Sequence, residues 1–109
     1  MSNAEQNFVT QKITLPIGLK IKDKLYQNIT IREEFVEDME KVERDDGIPA
    51  YMTINFRKHL YARCIVKIDG FDGFVTPSML STLKRRDWNY LTDAFDKLNA
   101  GGKPESETE

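Results

Sequence analysis

The sequence predicts an α+β domain in which a small N-terminal β-hairpin or meander packs on a bundle of about four α-helices. Three observations carry this. Apolar residues alternate with period two between Lys12 and Ile31, and from Phe35 onward they recur at spacings of three and four. Helix punctuation then stands at Asp46-Gly47-Ile48-Pro49, Thr76-Pro77 and Gly101-Gly102. At 109 residues the chain makes one domain with one modest core, because a chain of this size buries only about two-thirds of the surface it exposes when unfolded. We place that domain at residues 12–100, after a disordered N-terminus over residues 1–11 and before a flexible acidic tail over residues 101–109.

Taken in order, Ile13, Leu15 and Ile17 alternate with Thr14 and Pro16, and Ile29 and Ile31 flank Thr30, so both runs read as short strands. Gly18 adopts positive φ at little cost, which makes Pro16-Ile17-Gly18-Leu19 a tight connection into Lys20-Ile21-Lys22. Pro16 has no amide to donate and marks a strand end or a sheet edge. So small a sheet needs helices against it to be stable. Phe35, Met39 and Val42 share one helix face, expected against that sheet, while Glu37 with Lys41 and Glu40 with Arg44 pair four apart on the exposed side. A longer helix is expected from about Thr53 to Ile68, burying Phe56, Leu60, Cys64 and Ile68, with Tyr61 and Ile65 widening the stripe. Gly70-Phe71-Asp72-Gly73-Phe74 reads as a turn. Thr76 caps a short helix through Leu83 that has Pro77 in its first position. Asp87 caps the last helix, in which Trp88, Leu91, Phe95 and Leu98 line one face.

Hydrophobic residues at 39% and charged residues at 31% belong to a folded globular protein. The net charge of -2 and pI near 5.5 supply no long-range positive field, which argues against nucleic acid as partner. Cys64 is the sole cysteine, so no internal disulfide forms and a reducing cytoplasm is expected. No stretch approaches the ~20 apolar residues that span a bilayer, so no membrane association is expected. His59, the only histidine, lies five positions before Cys64, off its helical face; it reads as a boundary residue and Cys64 as a small buried side chain. Two Cys and His residues cannot complete a structural zinc site, and the acidic run from Glu33 to Asp46 lacks the ligand order of a calcium loop. That run reads as a solvated helix face. No constellation for catalysis, metal or cofactor is found, and the chain is expected to be no enzyme.

Ile13-Thr14-Leu15-Pro16-Ile17-Gly18, the passage from Ile29 to Asp38, Ile68-Asp69-Gly70-Phe71 leading to Thr76-Pro77, and Asp87-Trp88-Asn89-Tyr90-Leu91 follow one another in an order that resembles the tail assembly chaperone family of Mu-like bacteriophages. The likeness runs from about Lys12 to Leu98, by pattern more than identity, and the chain departs from it at Lys84-Arg85-Arg86 and Gly73-Phe74. The resemblance implies a protein made in the cytoplasm of the host bacterium that coats the tape measure protein and keeps it soluble until tail tube subunits assemble around it. It also implies a longer, frameshifted form arising near Gly101-Gly102-Lys103, although glycines after a helix are ordinary C-caps.

For that activity the candidate partner-binding residues are Phe71, Phe74, Met79, Trp88 and Tyr90, each of which has a core role as its plain alternative. The partners implied are the phage tape measure protein, the tail tube protein and further copies of the chain. The alternative reading is a small nucleic-acid-binding or regulatory module using Lys84, Arg85 and Arg86 beside the aromatics Trp88 and Tyr90. A third is a structural tail component.

Overall fold

A computed structural model describes residues 9–101; the N-terminal and C-terminal segments expected to be disordered lie largely outside these described residues. The elements are β1 (Thr10–Ile21), β2 (Lys24–Arg32), α1 (Val36–Arg44), α2 (Thr53–Cys64), β3 (Ile65–Ile68), α3 (Pro77–Leu80) and α4 (Arg85–Asn99). Over the described residues the architecture is α+β, a three-stranded antiparallel sheet in the order β1-β2-β3 with four helices. Against it lie α4 on β1 and β2, α3 on β1, and α2 on β3 and α3, while α1 packs on α2. A closed four-helix bundle does not emerge from these contacts.

The sheet is half hairpin and half late arrival. β1 and β2 join through Lys22-Asp23, with Lys22 at φ 58, and Ile21 faces Lys24 across the turn. The connection expected at Gly18 is therefore corrected: β1 runs straight through it. Between the pairs Thr14–Asn28 and Leu19–Tyr26, the four residues 15–18 of β1 stand opposite Gln27 alone, so the extra chain bulges instead of turning. Pro16 has no N–H for the ladder at this place, and Gly18 takes φ +127. A methyl group on Gly18 would lie 3.3 Å from the Gln27 side chain and from the Tyr26 carbonyl. Odd-numbered residues point inward on both sides of the bulge, and Ile13, Leu15, Leu19 and Ile21 are all buried.

The third strand is not the end of a meander, and it corrects the long helix expected to reach Ile68. α2 stops at Cys64, and Ile65–Ile68 pairs with β2 through Ile29–Ile68 and Ile31–Ile65. Three β-branched residues in four favour the pleated strand over a helix turn. Phe56, Leu60, Tyr61 and Cys64 are buried on α2 as the spacing predicts, and Ile65 and Ile68 are buried from the strand.

The main core joins the inner face of the sheet to Tyr61, Ala62 and Cys64 of α2, Leu80 of α3, and Leu91, Phe95 and Leu98 of α4. Tyr61 stacks on Phe95 with ring centres 4.3 Å apart and planes 10° off parallel. A smaller cluster of Val42, Phe56 and Leu60 seats α1 on α2. The expectation that the apolar face of α1 meets the sheet is thereby corrected: Val42 is buried against α2, and Phe35 and Met39 stay exposed.

α1 is instead tied to the sheet by charge. Arg32 at the end of β2 grips Asp38 with two hydrogen bonds of 2.9 Å, and Asp38 also accepts from the Phe35 amide at 2.8 Å. Burial disfavours the Asp38 carboxylate, yet the guanidinium and the amide outweigh it and hold the acid below the usual carboxylate range.

Two more boundaries change. The helix that begins at Pro77 lasts only to Leu80, after which Thr82 and Leu83 donate to carbonyls three residues back. The N-cap of α4 is Lys84, so Asp87 sits inside the first turn and its side chain is released for another task.

Candidate functional site

Asp87 is fully buried, and its two carboxylate oxygens accept hydrogen bonds from the backbone amides of Ile17 at 3.1 Å and Gly18 at 2.7 Å. On the other side of the bulge the Gln27 side-chain amide donates to the carbonyls of Leu15 at 3.0 Å and Pro16 at 3.3 Å. The backbone groups that the bulge removes from the ladder are thus satisfied by two side chains. Through Asp87 the first turn of α4 is fastened to β1, and the positive end of its helix dipole lies beside the carboxylate.

That anchorage fixes one wall of a cleft of about 520 Å³ where α2, α3 and α4 converge. Ile54, Leu80, Leu83 and Trp88 give it apolar walls, and Lys58 and Arg85 supply the charged side chains of its lining, with no carboxylate among the described lining residues. Lys58 donates to Ser81 at 2.7 Å and bridges α2 to the end of α3. Trp88 is half-buried, its ring 5.4 Å from that of Tyr61, so one face rests on the core and the remainder belongs to the cleft. Ile54 is 65% exposed, and Tyr51 and Met52 beside it are exposed as well.

The five predicted partner-binding residues are not gathered in one place. Trp88 lines this cleft. Phe71 and Phe74 border a separate hollow of about 450 Å³ near β3, and Tyr90 borders a small one between β1 and α4. The two phenylalanines also part company: Phe71 folds back, its ring 5.7 Å from Tyr26 and over Gly73, where an added methyl group would lie 3.1 Å from the ring. Phe74 projects outward, 91% exposed. Met79 packs half-buried against the main core, and its sulfur accepts from the Thr76 amide at 3.5 Å. Lys84, Arg85 and Arg86 are all exposed at the start of α4, next to the cleft that Trp88 lines.

Two clusters with chemical character lie elsewhere. Asp46 accepts from Arg63 at 3.0 Å and contacts His59 Nδ1 at 3.0 Å; burial opposes its ionisation, but these two partners prevail and lower its pKa. Cys64 has no exposed surface, and burial pushes its thiol up to about 12, which removes it from nucleophilic chemistry near neutral pH. Among the described residues no group of three or more His, Cys, Asp or Glu is placed to hold a metal ion, and no helix is long and apolar enough to cross a membrane.

Sequence reasoning missed Ile54 and Leu83 as site residues, and it assigned Asp87 to a cap and Asp38 to a solvated face. A signal for the acids was present. Asp38 stands four before Val42, and Asp87 stands four before Leu91, so each carboxylate lies on its helix's apolar stripe, where an acid requires a partner.

No protein-family model, no curated protein and no solved structure matches the chain.

Proposed function

We propose that this chain is a non-enzymatic chaperone that acts by covering apolar helical segments of another protein, and that its client is the tape measure protein of a phage tail, held soluble in the cytoplasm of the host bacterium. The observation that carries the reading is the cleft of α2, α3 and α4. A domain that has already closed its core still presents Ile54, Leu83 and Trp88 together in a concave surface. A concave surface lined by apolar side chains with a few polar groups at its edge is where a partner's apolar side chains would seat. A long helical client exposes complementary stripes that would otherwise self-associate. Many modest contacts along such a client add up to firm coverage while each remains exchangeable, which suits release when the tube forms.

Co-expression with a tape measure protein tests the proposal. The client is expected in the soluble fraction only when this chain is present, and a client equally insoluble with and without it counts against the reading. The alternative of a nucleic-acid module draws support from the exposure of Lys84, Arg85 and Arg86 beside Trp88. It requires a gel shift at low salt that fades steeply as ionic strength rises.

A further inference from the structure

The cleft has a charge as well as a shape. Its walls are apolar, its lining carries Lys58 and Arg85, and no carboxylate is among the described residues that face it. Lys84 and Arg86 stand exposed on either side of Arg85 in the chain. Asp87, the acid that follows them, is turned inward onto the amides of Ile17 and Gly18 and is absent from the surface. An apolar floor whose charged lining side chains are both cations, beside the uncharged Ser81 and Asn89, is complementary to an amphipathic helix whose apolar stripe is flanked by Glu or Asp. We infer that the cleft between α2, α3 and α4 is the docking site for an acidic-flanked amphipathic helix of the client, a refinement that rests on the chaperone reading and replaces the Phe71–Phe74 loop as the contact surface.

Selectivity follows from the same layout. Insertion of Leu-type side chains over Ile54, Leu83 and Trp88 provides the attraction, and the cationic edge rejects helices with basic flanks. Ile54 and Arg85 are both exposed, so changes there alter the surface without opening the core.

Trp88 is the only tryptophan and lines the cleft, so its emission reports on occupancy in the intact chain. The probes are two synthetic amphipathic helical peptides with the same leucine stripe, one flanked by Glu and one by Lys. The Glu-flanked peptide is expected to shift Trp88 emission to the blue and to bind about ten-fold more tightly than its twin at low salt, the gap narrowing as salt screens it. Ile54→Glu should weaken the Glu-flanked peptide, and the pair Lys58→Glu with Arg85→Glu should reverse the preference. Equal affinity for the two peptides, no emission change with either, or binding that Ile54→Glu leaves intact overturns the inference. Tighter occupancy by a single-stranded oligonucleotide overturns it too, by reassigning the cationic edge. Client solubility is read separately. A client kept soluble while neither peptide binds removes the cleft and leaves the chaperone standing, and peptides that bind as expected beside an insoluble client do the reverse.

Discussion

Replacing Asp87 by alanine should cost this protein a large share of its stability. The carboxylate is fully buried and accepts from two backbone amides, Ile17 at 3.1 Å and Gly18 at 2.7 Å. Each hydrogen bond to a charged acceptor contributes roughly 1.5–3 kcal/mol, and alanine leaves both amides unpaired, which sums to roughly 3–6 kcal/mol. A negative charge in the first turn of α4 adds roughly 0.3–1 kcal/mol through the helix dipole. Alanine also relieves the desolvation of a buried carboxylate, so the lower end of the range governs. Even about 3 kcal/mol is large beside the roughly 5–15 kcal/mol that holds a domain of this size together, and it corresponds to a fall in Tm of at least about 12 °C. The Asp87→Asn variant keeps one carbonyl acceptor but turns an amide donor toward the second N–H, so an intermediate loss is expected. Urea unfolding of the parent, Asp87→Ala and Asp87→Asn, with m unchanged, measures the series. An alanine variant within about 1 kcal/mol of the parent would refute the claim that this carboxylate holds the β1 bulge to α4.

Other outcomes follow from the same contacts. Gly18→Ala should destabilise by itself, and combined with Asp87→Ala it should cost less than the sum of the two, since both break one bulge; unfolding of the double variant measures the difference. Asp38→Asn removes one partner of a largely buried ion pair and should cost roughly 3–5 kcal/mol at neutral pH. Because the folded pKa of Asp38 is depressed, its contribution is present above the unfolded value of ~3.9 and is lost as pH falls through the folded one. The gap between parent and Asp38→Asn should therefore close below about pH 4. Glu34 has its carboxyl pushed up by burial and titrates in the opposite sense, so that difference is the readout and not the parent's own curve. Cys64 should resist a thiol reagent in the native protein and react fully in urea; rapid native labelling would contradict its burial. Phe74→Ser should change stability by no more than about 0.5 kcal/mol, whereas Phe95→Ala should lose roughly 3–5 kcal/mol, both read by thermal unfolding.

Much of the fold was legible because it depends on local periodicity. Ile13 and Leu15 of β1, the paired Ile29 and Ile31, and the Leu91, Phe95, Leu98 stripe of α4 are buried where their spacing places them, whereas Ile17, inside the bulge, is only half-buried. The candidate site was far less legible. Phe71 and Phe74 look equivalent in sequence, yet one packs against Tyr26 and the other points to solvent, because the turn between them sets their directions and nothing in composition does. Ile54 and Leu83 lie 29 positions apart and form one wall system only after α2 and α3 meet.

Sequence by itself determined the class of fold, the alternation of β1 and the inward face of α4, since pattern and backbone sterics act within a few residues. It also placed Cys64 in the interior. Tertiary structure alone decided the rest. Whether Ile65–Ile68 extends a helix or forms a strand depends on an open edge of β2 for it to join. Whether Gly18 turns the chain or bulges it depends on a carboxylate arriving from Asp87, sixty-nine residues away. A hydrogen-bonding group cannot be assigned from its neighbours in the chain when its partner is supplied by another element, and the cleft exists only where those distant partners hold α2, α3 and α4 together.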